Sequence, residues 1–199
     1  MKTRAKLLCL LGFLLAPMPL SAQEAAVGAT PLEIHMFHWL QGSREWRTNN
    51  PSYDPAAEPM TGSWFKEFAV RWDYGPHKQH LVGGIYAIAA DGTEVNASTM
   101  YAFYDPVENK VEQVQIGRRG SYSIDRTEPR LTPTPYGEPE IGVAVEHLAD
   151  GSTARRKHEN TFFEDGRQLT DVYIQNDAGE WEFFRNWVWR LMPQQRGDN

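Results

Sequence analysis

Glu180-Trp181-Glu182-Phe183-Phe184-Arg185-Asn186-Trp187-Val188-Trp189-Arg190-Leu191 alternates with a period of two. Its odd positions hold Trp181, Phe183, Arg185, Trp187, Trp189 and Leu191, while its even positions are mixed. Period two is the signature of a β-strand, whose successive side chains point to opposite faces. The same period recurs upstream. From Trp64 to Trp72 the even positions are Trp64, Lys66, Phe68, Val70 and Trp72. From Ile141 to His147 the odd positions are Ile141, Val143, Val145 and His147. Tyr101 and Phe103 share one face of a further run. Turn signals separate these runs: Ala90-Asp91-Gly92, Asp105-Pro106, Ala149-Asp150-Gly151, Glu164-Asp165-Gly166 and Asn176-Asp177-Ala178-Gly179. Short turns join antiparallel neighbours, so the chain reads as a meander of hairpins.

The spacing predicts about ten strands: 43–48, 63–73, 80–90, 93–104, 110–117, 120–127, 140–149, 152–164, 167–176 and 180–191. Only 31–41 carries a helical pattern, of a turn or two. Prolines mark two long loops, 50–60 and 127–139. So many antiparallel strands with one apolar face must close or split into two sheets. Regular up-and-down hairpins favour closure. The expectation is an all-β fold: an antiparallel up-and-down β-barrel of eight to ten strands with a short N-terminal helix. A barrel above about eight strands leaves room inside for a ligand.

The ends of the chain read differently. Lys2, Arg4 and Lys6 precede an apolar run from Leu7 to Leu15, and Pro17, Pro19, Ser21 and Ala22 follow. This is the pattern of a signal peptide over 1–22, with cleavage after Ala22. Residues 23–31 form a small-residue linker, 32–193 the barrel domain, and 194–199 a disordered tail. Cys9 is the only cysteine. Leu7 and Leu8 before it do not match the small residues of a lipobox, so it leaves with the signal. A cysteine-free exported chain needs no oxidative folding. The expected location is the periplasm or the exterior. Removing 1–22 leaves 17 basic against 26 acidic side chains, a net charge of −9. That charge opposes nucleic-acid binding, and no membrane insertion is expected once the signal is gone.

Three segments together resemble the calycin group of β-barrels, which includes lipocalins, fatty-acid-binding proteins and lipocalin-like bacterial exported families of unknown function. Leu32-Glu-Ile-His-Met-Phe-His-Trp-Leu-Gln-Gly42 looks like the short helix and Leu-x-Gly that open the first strand. Ala102-Phe-Tyr-Asp-Pro-Val-Glu-Asn-Lys-Val111 looks like the mid-barrel Tyr-Asp hairpin, and 180–190 like the closing strand with its Arg. One departure stands out. Lipocalins carry Gly-x-Trp, and here Gly42 is followed by Ser43 and Arg44, with the nearest Trp at Trp46. The resemblance implies a barrel and a central cavity, and no particular activity.

Candidate chemistry follows from the expected inward parity. If the aromatic faces line the interior, Lys66, His147 and Arg185 go in with them. A buried charge must be paired, stacked or met by a ligand. Arg185 is then either a clamp for an anionic head or, like Arg190, a barrel-closing cation stacked on an N-terminal Trp. The candidate ligand-binding residues are Trp64, Lys66, Phe68, Trp72, Tyr101, His147, Arg185 and Trp187. His35 and His38 have the spacing to share a metal on one helical turn, as His77 and His80 have in a loop, but surface or rim histidines account for both pairs. His147 is the best placed residue for a haem. No metal and no cofactor is assigned. The run Arg155-Arg156-Lys157-His158-Glu159-Asn160 is polar on both faces. It is either a sheet edge or a polar patch of cavity wall, with His158 and Asn160, or alternatively Glu159 and Thr161, facing in. There is no Gly-x-Ser-x-Gly elbow, no phosphate-binding Gly-rich loop and no His-Glu-x-x-His.

The mature segment holds 23 aromatics in 177 residues, seven of them Trp. Rigid aromatics suit an apolar cavity. The expected function is an exported binding protein for a small hydrophobic or amphipathic ligand, largely apolar and able to carry an anionic head. The alternatives are an enzyme on the same barrel, such as a cyclase, isomerase or hydratase, and a structural protein with a filled interior.

Overall fold

A computed structural model describes residues 28–194. The predicted signal segment 1–22 with Cys9, linker residues 23–27 and tail residues 195–199 lie outside the described residues. Thr30 starts a short helix, α1 (Pro31–His35), through a capping box. The Thr30 Oγ1 accepts from the Glu33 N–H at 3.2 Å, and the Glu33 carboxylate accepts from the Thr30 N–H at 2.9 Å. Pro31 occupies the first turn, where its missing N–H costs nothing. A single 3₁₀ turn, His38–Leu40, follows.

Ten strands come next: β1 (Glu45–Asn49), β2 (Phe65–Tyr74), β3 (His80–Ala89), β4 (Glu94–Asp105), β5 (Lys110–Gly117), β6 (Tyr122–Thr127), β7 (Pro139–His147), β8 (Thr153–Phe162), β9 (Arg167–Gln175) and β10 (Trp181–Leu191). Each pairs antiparallel with its sequence neighbours, and β10 returns to β1, closing the barrel. The up-and-down barrel read from the hairpin pattern is therefore the fold. The turns show why. At the β9–β10 hairpin, Asn176 Oδ1 accepts from the Ala178 and Glu180 N–H groups, and Gly179 takes a left-handed φ of 84°.

The seam is short. Trp46 faces Leu191 and Arg47 faces Arg190. Backbone N–H of Met192 to the Glu45 carbonyl (2.9 Å) and Ser43 Oγ to the Met192 carbonyl (2.7 Å) extend it. Leu191 packs over Gly42, where a Cβ would sit 3.2 Å from the Leu191 side chain. Neither Arg185 nor Arg190 closes the barrel by stacking on an N-terminal Trp. Trp46 instead packs edge-on against Trp39 and Phe162.

The two ends of the barrel are unequal. α1, the 3₁₀ turn and the loop 128–138 plug one end. Leu32, Met36, Trp46, Trp72, Leu81, Ala102, Phe162 and Trp189 form the main core there. His35 and His38 belong to this plug and are buried, not at the surface or rim. His38 Nε2 lies 2.7 Å from the Thr134 carbonyl and its ring stacks on Phe162. His35 Nε2 instead lies 3.5 Å from Thr127 Oγ1, so the two rings serve separate partners. The opposite end is bordered by the loop 50–62 and the hairpin turns after β3, β5, β7 and β9.

Candidate functional site

The barrel encloses a cavity of about 920 Å³. One wall is apolar. Phe68, Val70 and Trp72 from β2, Ile85 from β3, Met100 from β4, and Trp187 and Trp189 from β10 line it. Phe68 meets Trp187 edge-on at 5.6 Å, and Trp187 lies 6.1 Å from Trp189. Met36 and Trp39 of the plug form the floor. The Trp72 indole lies over Gly83, where any Cβ would stand 2.6 Å from the ring.

The facing wall is polar. β5 contributes Gln113 and Gln115, and β6 contributes Ser123, Asp125 and Thr127. β7 presents Glu140, Gly142, Ala144 and Glu146. β8 presents Arg156, His158 and Asn160, and β9 presents Thr170 and Val172. This strand is no sheet edge, since β8 pairs with both β7 and β9. Of the two parities open to it, the one carrying His158 and Asn160 faces in. Arg156 donates to Glu146 at 2.5 Å, and Asn160 Oδ1 accepts from Thr170 Oγ1 at 2.8 Å.

Four of the eight candidate residues line the cavity: Phe68, Trp72, Arg185 and Trp187. The other four do not, and each has a physical reason. β2 carries a bulge between Phe65 and Glu67. The bulge breaks the alternation at Lys66, which is exposed, and Trp64 sits in a 3₁₀ turn before the strand. Tyr101 faces outward because Met100 and Ala102 take the interior of β4. α1 lies against β4 and β5 at that end, and the fully buried Ala102 leaves it room. His147 also faces outward, stacked on Tyr122 at 4.4 Å. The apolar face of β7 is its outer one, with Ile141 52% and Val145 36% exposed. In β10 a second bulge, between Phe183 and Arg185, places Phe183 on the outside against Tyr173.

The residues missed by sequence are mostly on the polar wall, with electrostatics set by burial. Burial raises Glu140 to about 7, with the Arg130 guanidinium 3.4 Å away pulling it back. Burial also raises Asp125, again opposed by Arg130. Asp125 leans over Gly142, where a Cβ would sit 2.4 Å from its Oδ2. His158 is lowered to about 4, first by burial and then by Arg156. It faces the cavity as a neutral imidazole. Arg185 lies over the rings of Phe184 (4.6 Å) and Trp187 (5.1 Å). Burial and then Arg156 lower its pKa. Among the described residues, Arg185 has no ion-pair partner, whereas Arg156 has Glu146.

Among the described residues, no group of His, Cys, Asp and Glu has the geometry to hold a metal, and no helix is long and apolar enough to cross a membrane. No protein-family model and no curated protein matches this chain.

Proposed function

We propose that the protein is an exported carrier that holds one small amphipathic molecule in the barrel, with its apolar body on the aromatic wall and an anionic head at Arg185. One observation carries this reading. Arg185 is a guanidinium at the exposed mouth of the cavity, beside the aromatic wall and near Arg156, with no carboxylate partner among the described residues. An anion there offsets the repulsion from Arg156, and an ion pair open to solvent contributes about 0.2–1 kcal/mol. The aromatic rings beside it supply area and rigidity for the tail. The signal-like composition of 1–22 supports export.

The test uses decanoate and its neutral analogue decan-1-ol, followed by quenching of Trp fluorescence. Decanoate should bind more tightly, and its affinity should fall with added salt because the head contact is ionic. Equal affinities, or decanoate binding that is indifferent to salt, would remove the anionic head from the reading. Native mass spectrometry of the protein from its own compartment would show the bound mass directly.

The enzyme reading draws on a different observation: Glu140 is raised to about 7 while His158 is lowered to about 4 in the same cavity. Titratable groups pushed apart in this way are how one site keeps an acid and a base together. It predicts that a bound molecule is consumed, at a rate that Glu140→Gln and His158→Gln each reduce. A ligand recovered unchanged after prolonged incubation counts against it.

A further inference from the structure

Arg185 belongs to a row of side chains that crosses the strands. The register puts Arg185 opposite Val172, Val172 opposite His158, and His158 opposite Gly142. All of them line the cavity, so the row faces inward across β10, β9, β8 and β7. Gly142 brings no side chain, and the Asp125 carboxyl of β6 takes its place: a Cβ there would meet Asp125 Oδ2 at 2.4 Å. The row therefore runs guanidinium, isopropyl, imidazole, carboxyl. Arg185 and His158 are two strands apart, so about 10 Å along the wall at the usual strand spacing.

The far end of this row is uncommitted. Neither ring nitrogen of His158 makes a hydrogen bond among the described residues, and neither is sealed from water-sized space as the Nδ1 atoms of His35 and His38 are. Because the ring lines the cavity, its nitrogens open into it. Asp125 Oδ1 is sealed, whereas Oδ2 is not. The neighbours are taken: Arg156 by Glu146, and Asn160 Oδ1 by Thr170 and Gln168. An added positive charge is unwelcome at this spot, since burial and then Arg156 already lower the imidazole to about 4. An added negative charge meets the Asp125 carboxyl. A hydroxyl is neutral and both donates and accepts, as a neutral imidazole does.

We infer that the ligand is a rigid ring acid lying along this row, with its carboxylate at Arg185, its ring over Val172 beside Trp187, and a hydroxyl on the far edge at His158 and Asp125. This rests on the amphiphile reading and narrows its chemical class. A fused-ring skeleton with groups on opposite edges holds the two ends at a fixed span. It also loses less freedom on binding than a flexible chain.

The experiment titrates the full chain by calorimetry with decanoate, 2-naphthoate, 6-hydroxy-2-naphthoate and 3-hydroxy-2-naphthoate. The 6-hydroxy acid carries its hydroxyl on the edge away from the carboxylate, and the 3-hydroxy acid carries it beside the carboxylate. The 6-hydroxy acid should bind about fivefold more tightly than 2-naphthoate, and the 3-hydroxy acid should gain nothing. In His158→Phe the preference should vanish while 2-naphthoate still binds. The isomers are compared on the unmodified protein, so a variant that misfolds does not block the test. Equal affinity for the 6-hydroxy and plain acids, an equal gain from either hydroxyl position, or a preference that survives in folded His158→Phe overturns this inference and leaves the amphiphile reading standing. So does binding of decanoate without any naphthoate. Binding of none of these acids overturns the amphiphile reading and this inference with it.

Discussion

The two walls of the cavity are built from the same kind of strand and do opposite work. The wall from β2, β3, β4 and β10 is aromatic and aliphatic, and it merges with the main core through Val70, Trp72, Met100 and Trp189. The wall from β5 to β9 is lined by amides, carboxyls, guanidiniums and an imidazole. The first contributes stability through area removed from water. The second holds groups whose ionisation is shifted by burial, which ties stability to pH and leaves charge available to a ligand. The lesson is that one barrel interior can be core on one side and site on the other.

The largest expected effect breaks the aromatic wall. Trp72→Ala removes a buried indole from above Gly83 and should destabilise by about 3–5 kcal/mol, read from denaturant midpoints. A loss under 1 kcal/mol would mean the wall is not part of the core.

The next effect belongs to the polar side and the plug. His35 and His158 are lowered from 6.5 to about 4 by burial, so both are neutral in the fold while the unfolded chain protonates below pH 6.5. Each should contribute stability that is lost as pH falls from about 6.5 to 4, on the order of 3 kcal/mol apiece. Glu140 has the opposite sign. Its pKa is raised from 4.5 to about 7, so stability falls as pH rises through that window, because the unfolded chain releases its proton first. Two protons against one leave a net loss on acidification of about 1.4 kcal/mol per pH unit between 4.5 and 6.5. Glu140→Gln should roughly double that slope. Unfolding titrations at several pH values check both statements, and a flat profile in both proteins would contradict them.

Arg185→Met sharpens the comparison at the mouth. Decanoate affinity should fall by about 0.5–1 kcal/mol, with stability unchanged or improved, because an unpaired cation beside Arg156 is removed. A drop in melting temperature with affinity intact would mean that Arg185 acts through its stacking on Phe184 and Trp187 and not on a ligand. The smallest effect is Lys66→Ala. The bulge puts this side chain in water, so neither stability nor affinity should move by more than about 0.5 kcal/mol.

The strands and their closure were legible in the sequence, because turn chemistry and period two are local signals. Which face of each strand points inward was legible only on β2 past the bulge and on β10 past Phe184. The assumption that apolar faces point inward fails for β4 and β7. Tyr101, Phe103, Val143 and Val145 cover the outside there, while Ala102, Gly142 and Ala144 make room for the plug and for Asp125 inside. The polar wall was legible only in part. The run 155–160 allowed a polar patch of cavity wall as one of two readings, which the structure bears out, whereas Glu140 and Glu146 lie on the β7 face opposite the apolar one that was expected inside. The bulges in β2 and β10 leave no mark in composition, yet each decides on which side an aromatic or a cation falls.

The seam between β1 and β10 has a consequence for the order in which the molecule assembles. Every other pairing joins neighbours in the chain, so each hairpin can form from local encounter. The seam joins Trp46 to Leu191 and can form only after the intervening hairpins have brought those ends together. It also sets two like charges, Arg47 and Arg190, directly across from one another. Glu45 at 2.6 Å and Glu67 at 3.6 Å from Arg47 offset that repulsion, and Glu67 lies on β2. An acidic side chain from β2 thus lowers the cost of closing the seam by a modest amount. The seam is also the shortest pairing in the barrel, and one of its two strands is the one that carries Trp187 and Arg185.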